Sequence, residues 1–249
     1  MIIAGIVFTV LCSLVLPIAL AVYLCLKRKG YWKALLSGTL CFIVFQVLTR
    51  IPLIQFVLPK MDWYLTLSLS NPLLNILFLA ITASLFEELG RYIVMRVFLK
   101  KHLTVSDSLA FGVGHGGIEA VLLVGISYLV ALITQPPAMI SVLTGSLAFA
   151  AGLERLFTMA VHIGLSVMVM KSVREHKIAP LLLALLIHAL IDFVPIYALH
   201  VLGTNLWIVE GMIAVSGIAL AWYSYNEYKK AKGAENGIAR DAVQSPEIM

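Results

Sequence analysis

Polar side chains along this chain are sparse interruptions in long apolar stretches. Runs of about 20 apolar residues recur from one end to the other, the length at which a helix crosses a bilayer. They predict spans at roughly 3–26, 34–57, 72–99, 107–134, 153–171, 180–199 and 205–226. The expected fold class is all-α, a polytopic bundle of about seven transmembrane helices. The stretch AMISVLTGSLAFAAG at 138–152 is apolar but short for a span of its own. It reads either as a re-entrant piece or as the start of a long, tilted fifth helix. Residues 1–227 are expected to form one transmembrane domain with its site region at 72–199, and residues 228–249 a disordered cytoplasmic tail.

Composition narrows the class. Hydrophobic residues make up 61% of the chain and charged residues 12%, far from the usual half and quarter of a soluble domain. The net charge of +5 does not indicate a nucleic-acid partner, because the basic residues sit in short clusters between apolar runs and act as topology signals. Lys27, Arg28, Lys29, Lys33, Arg96, Lys100, Lys101, Lys171, Arg174, Lys177, Lys229, Lys230, Lys232 and Arg240 fall on one side, and Lys60 alone on the other. This bias predicts an integral protein of a bacterial cytoplasmic membrane, with the N-terminus outside and the C-terminus in the cytoplasm. The first apolar run has its charge after it rather than before, so it reads as a retained helix and not a secretory signal. Cys12, Cys25 and Cys41 form no CxxC pair and read as small core residues.

Against this background the intramembrane polar residues stand out, because each is costly in hydrocarbon and has to face the bundle interior or a cavity. Arg50 precedes IPLIQ, where it would snorkel or hold a kink at Pro52. The third span carries Glu87, Glu88 and Arg91 in ASLFEELGRYIVMR. The arginine is four and three residues from the acids and can reach either, so one carboxylate remains as a base or a ligand. The fourth span carries His115 and Glu119, four apart on one face, among Gly112, Gly114, Gly116 and Gly117. Glycine weakens a helix but lets another helix or a substrate backbone approach. The fifth span adds Glu154, Arg155 and His162, and the sixth His188 and Asp192, again four apart. Counted at 1.5 Å per residue, the three histidines lie roughly 12–14 Å from the cytoplasmic surface and Glu88 and Asp192 roughly 18 Å. Polar groups from four helices at a shared depth predict one site.

Two chemistries suit that set. Imidazoles with carboxylates are ligands zinc prefers, with His115, His162 and His188 the candidates, and metal-bound water becomes a nucleophile near neutral pH. Alternatively, a glutamate in a dry cavity deprotonates water without a metal, and the histidines stabilise the oxyanion. No HExxH is present.

The motifs Glu-Glu-x-x-Arg (Glu87, Glu88, Arg91), Phe-x-x-x-His (Phe111, His115) and His-x-x-x-Asp (His188, Asp192) resemble the superfamily of CAAX proteases and bacteriocin-processing proteins. With GHGGIEA, Glu154-Arg155 and His162, the chain is most similar there to the YhfC-type intramembrane metalloproteases, over roughly residues 72 to 195. The resemblance implies that Glu87 or Glu88 activates water while Arg91 holds the other acid. It implies that His115 and His188 bind the oxyanion or a metal, and that Asp192 orients His188. Glu119, Glu154 and Arg155 would support them. The CAAX enzymes place the arginine one residue further on and usually have Asn where Asp192 stands, so prenyl-protein specificity does not follow. The implied activity is hydrolysis of a peptide bond in a membrane-embedded or lipid-anchored substrate. A proton- or metal-coupled transporter or sensor, and a non-catalytic scaffold, are the alternatives such intramembrane acids and histidines also allow.

Overall fold

The structure, a computed structural model, describes residues 1–100, 103–135 and 142–244. Seven long apolar helices account for most of it: α1 (Ile2–Lys27), α2 (Tyr31–Lys60), α3 (Pro72–Phe98), α4 (Val105–Thr134), α5 (Gly145–Glu175), α6 (Ala179–His200) and α7 (Leu206–Gln244, its apolar part ending near Ala234). No strand occurs among the described residues. This is an integral membrane protein with the expected seven spans.

Local sequence accounts for the helix ends. Asn71 caps α3 by accepting from the Leu74 amide, with Pro72 at the first helical position, where its missing N–H costs nothing. Thr104 and Asp107 form a reciprocal capping box at the start of α4. Thr144 caps α5. Gln135 and His176, both with positive φ (44° and 54°), close α4 and α5 in the left-handed conformation.

Three boundaries differ from the hydropathy reading. The fifth helix begins at Gly145, so most of the ambiguous 138–152 stretch is its first two turns. Residues 138–141 lie outside the described residues, as does Lys101 of the basic clusters. A short helix, Asp62–Ser70, fills the connection between α2 and α3. The seventh helix continues to Gln244 where a disordered tail is expected after residue 227. Its extension is rich in Lys, Ala and Glu, good helix formers. Glu227 pairs with Lys230 at 2.8 Å and with Lys171 of α5 at 3.6 Å. Residues 245–249 lie outside the described residues.

Packing places α5 at the centre. Two-thirds of its apolar window is buried (67%), against 17–39% for the other six helices. Glycines set the close approaches around it: a Cβ on Gly112 would stand 2.5 Å from Ile163 Cα, and one on Gly164 2.5 Å from Leu220 Cβ. Phe111, Leu165, Val167 and Val169 are fully buried in the core. Large apolar side chains such as Leu48, Val130, Leu186 and Val215 remain exposed on the outside, as a lipid-facing surface requires. Wider π-turns interrupt α2 over Ile43–Arg50 and α4 over Val121–Gly125. Such turns often mark functional positions, and here both border the polar interior.

Candidate active site

The intramembrane polar residues of α2 to α6 converge. Glu87, Glu88, Arg91, His115, Arg155, His162 and His188 are all buried. Counted from helix ends, Glu88 and His115 are each ten residues in and His188 nine, roughly 14–15 Å along the axis. His162 is thirteen residues from the end of the longer α5, roughly 20 Å.

Glu87 is the hub. Its Oε2 lies 3.0 Å from His115 Nε2, 3.8 Å from His162 Nδ1, 3.9 Å from Arg91 Nη2 and 4.0 Å from His188 Nε2. Its Oε1 accepts from the Gln46 side-chain amide on α2. Gln46 in turn accepts from Arg50 at 3.3 Å, and Arg50 also donates to the Leu79 carbonyl at 2.6 Å. Arg50 therefore neither snorkels nor holds a kink through its own side chain. It fixes the amide that fixes Glu87.

Glu88 occupies a different position from its neighbour. It is fully buried, takes Arg91 Nη2 at 3.3 Å, and bonds His188 Nδ1 at 2.8 Å. Arg91 also donates from Nη1 to the His162 carbonyl and to Ser166 Oγ, both at 2.8 Å. Asp192, expected to orient His188, stands 3.6 Å from its Nε2, beyond hydrogen-bond reach. Glu88 takes that role in the geometry, and Asp192 is left at the cavity wall with its side chain one-third exposed.

A third group lies above these. His162 Nε2 faces Glu119 Oε2 at 2.6 Å, close but off the hydrogen-bond direction. Glu119 accepts from Arg155 at 3.0 Å, and Arg155 also pairs with Glu154. Every site residue expected from the sequence is thus in one connected assembly, with Glu154 and Asp192 at its margin.

A cavity of about 360 Å³ adjoins the assembly. Glu87, Glu119, His162, His188 and Asp192 line it together with Leu199, Leu206, Val209 and Glu210. Glu88 and Arg91 do not reach it. Two lining residues escaped the sequence reading. Gln46 is a lone amide in FIVFQVLTR, four residues before Arg50, a spacing that signals a shared helix face. Glu210 is a single acid one turn into α7, in WIVEGM, and an acid at that depth is itself a signal.

The donor set fits a metal ion. Glu87, His115 and His162 offer ligand atoms that all lie within 4.8 Å of one another. The remote nitrogen of one of these imidazoles, His162 Nε2, faces the Glu119 carboxylate, the kind of outer partner that orients a metal-ligating histidine. His188 lies outside the set and bonds Glu88 through Nδ1. Charge balance agrees. Among the described residues, six acids of the assembly and its cavity, Glu87, Glu88, Glu119, Glu154, Asp192 and Glu210, outnumber three arginines, Arg50, Arg91 and Arg155. A divalent cation would offset most of that excess negative charge in a medium where it is expensive.

Known proteins place the chain in a family. The model of a family described as YhfC intramembrane metalloprotease matches residues 12–137 and 132–213. An uncharacterized membrane protein of Bacillus subtilis, YhfC, is 33% identical over 204 residues, covering 72% of this chain and 78% of the relative. No solved structure matches. With the family model matched over most of the chain and most of both chains aligned, the chain belongs to the YhfC family.

Proposed function

We propose that the protein is an intramembrane peptidase, hydrolysing a peptide bond of a membrane-embedded or lipid-anchored substrate. The observation that carries this reading is the surrounding of Glu87 Oε2 by three imidazole nitrogens at 3.0, 3.8 and 4.0 Å on a cavity wall in the membrane interior. The printed description of the family supports it.

Glu87, rather than Glu88, is the residue that meets water. Gln46 occupies Oε1 and leaves Oε2 turned toward the imidazoles on the cavity wall, whereas Glu88 binds Arg91 and His188 through Oε1 and does not line the cavity. Glu87 Oε2 holds the attacking water and takes its proton as general base. His115, 3.0 Å away, keeps that oxygen in place. The water oxygen bonds to the carbonyl carbon. As the C–N bond breaks, the leaving nitrogen takes a proton from Nε2 of a His188 imidazolium. The proton held by Glu87 Oε2, 4.0 Å away, then passes to Nε2 and resets both groups. Glu88 orients His188 through Nδ1, and Arg91 anchors Glu88. His115 and His162, with Glu87, are the residues that would hold a divalent cation. Zinc suits these ligands, and when bound it would supply a Lewis acid that activates water and polarises the carbonyl. In this reading the basic face is cytoplasmic.

The test is made on the full chain, purified in detergent and reconstituted with a panel of fluorogenic transmembrane peptides. Wild type is expected to carry about one zinc per chain, lost in His115→Ala and His162→Ala, and to cleave members of the panel. Glu87→Gln is expected to fold and not cleave. Unchanged turnover by folded Glu87→Gln would overturn the reading. A metal-free but active wild type would leave Glu87 as the sole activator of water.

A further inference from the structure

Glu210 is a buried acid for which neither the fold nor the proposed chemistry has a use. It lies on α7, four residues past Leu206, roughly 6 Å into the helix. It is only 4% exposed, and its Oε2 is buried with no hydrogen-bond partner. Buried polar groups without partners are rare, and a carboxylate in such a place without one is more costly still. Among the described residues no arginine bonds it: Arg155, on the same cavity wall, spends Nη1 on Glu119 and Nη2 on Glu154.

The surroundings define what would complete it. Glu210 shares its cavity with Glu87 and His188, and Leu199, Val209 and Ile213 line the wall near it. A cavity wall with aliphatic side chains beside an unpaired carboxylate, shared with the proposed hydrolytic centre, matches a long alkyl stem carrying a positive charge. The stem packs on the apolar wall, and the cation supplies the charge-assisted hydrogen bonds that Glu210 lacks. A carboxylate or a phosphate would add to the local excess of negative charge, and a neutral donor would give Glu210 a hydrogen bond without offsetting its charge.

We propose that Glu210 terminates a specificity subsite of this cavity, taking the ammonium or guanidinium of a lysine or arginine side chain in the substrate peptide. The proposal rests on the peptidase reading for its substrate class. Its location, near the end of α7 remote from the Lys- and Arg-rich connections, sets where along a spanning segment the basic residue must lie.

Binding and cleavage test it separately. Glu87→Gln full-length protein in lipid vesicles is titrated with labelled transmembrane peptides in which one lysine is moved stepwise along the segment, each paired with a norleucine isostere. At one position the lysine peptide is expected to bind at least about tenfold tighter than its isostere, the equivalent of 1.36 kcal/mol. Adding Glu210→Gln is expected to erase that difference and leave binding of the norleucine peptide unchanged. Glu210→Lys should transfer the preference to a peptide with glutamate at that position, which a merely structural acid would not do. Equal binding of each pair at every position overturns the subsite, as does a lysine preference that survives Glu210→Gln. Wild-type protein assayed for cleavage of the same peptides reads the other claim. A lysine preference without any cleavage would sink the peptidase reading and keep Glu210 as a cation site. Cleavage without the preference would do the reverse.

Discussion

Glu88 Oε1 and His188 Nδ1 lie 2.8 Å apart, joining α3 to α6 across a hundred residues of sequence. The bond separates two adjacent acids into different roles. Glu88, which also takes Arg91, belongs to the frame, and Glu87 faces the cavity. Replacing Glu88 with Ala would leave the Arg91 charge buried with one carboxylate fewer. Losing one partner of a buried ion pair costs about 3–5 kcal/mol. Thermal unfolding in detergent should therefore show a large drop for Glu88→Ala and a small one for Glu87→Gln. Cleavage should fall by roughly 100- to 10,000-fold in Glu87→Gln, the range for loss of a general base. Equal stability of the two variants would mean that the acids share one role.

Arg91 offers a sharper check on the frame. One guanidinium reaches the His162 carbonyl, Ser166 Oγ and Glu88 at once. A lysine carries the same charge but no planar fork. Arg91→Lys is expected to lower stability by about 1.5–3 kcal/mol, one charged hydrogen bond's worth, and to reduce metal content by loosening His162. An Arg91→Lys protein with wild-type unfolding temperature and zinc content would show that charge alone suffices there.

Gln46 is a positioning residue. It connects Arg50 to Glu87 Oε1. Removing a hydrogen bond to a charged group costs about 1.5–3 kcal/mol. If that is felt in the transition state, Gln46→Leu should lower kcat by about 10- to 100-fold with KM little changed. Gln46→Asn, which keeps the amide on a shorter stem, should recover part of the loss. A change confined to KM would place Gln46 in substrate binding instead.

The seven spans and the identity of most site residues are readable from the chain because hydropathy and intramembrane charge are local signals. Glu87, His115, His162 and His188 stand out simply by sitting in apolar runs. Their partners are not local. The four-residue spacing of His188 and Asp192 suggests a pair within α6, yet Glu88 takes the imidazole from α3, because helix packing decides which acid reaches it. Gln46 is less conspicuous for a related reason: it carries no charge, its only sequence signal is the spacing to Arg50, and its role comes from Glu87 across the bundle. Glu210 could have been flagged by charge alone. The extension of α7 shows the opposite limit, where a polar segment reads as tail until the packing of Tyr228 and Ala231 against the core is seen.

The glycines beside His115 make the last prediction, because two of them are needed for contact and a third is not. A Cβ on Gly114 would stand 2.0 Å from the Leu35 carbonyl oxygen, and one on Gly38 2.1 Å from the Phe111 carbonyl oxygen. Both clashes are with backbone, which cannot rotate away as a side chain can. Alanine at either position must therefore push α2 from α4, carrying Gln46 away from Glu87 and His115 with it. Overpacking of this kind costs about 1–3 kcal/mol or more. Gly117, whose added Cβ would meet only Pro17 Cβ at 3.3 Å, should accept alanine with far less effect. Gly38→Ala and Gly114→Ala are thus expected to lose stability and cleavage together, and Gly117→Ala to keep both. If Gly114→Ala retained full activity, α2 would not be the helix that positions Glu87.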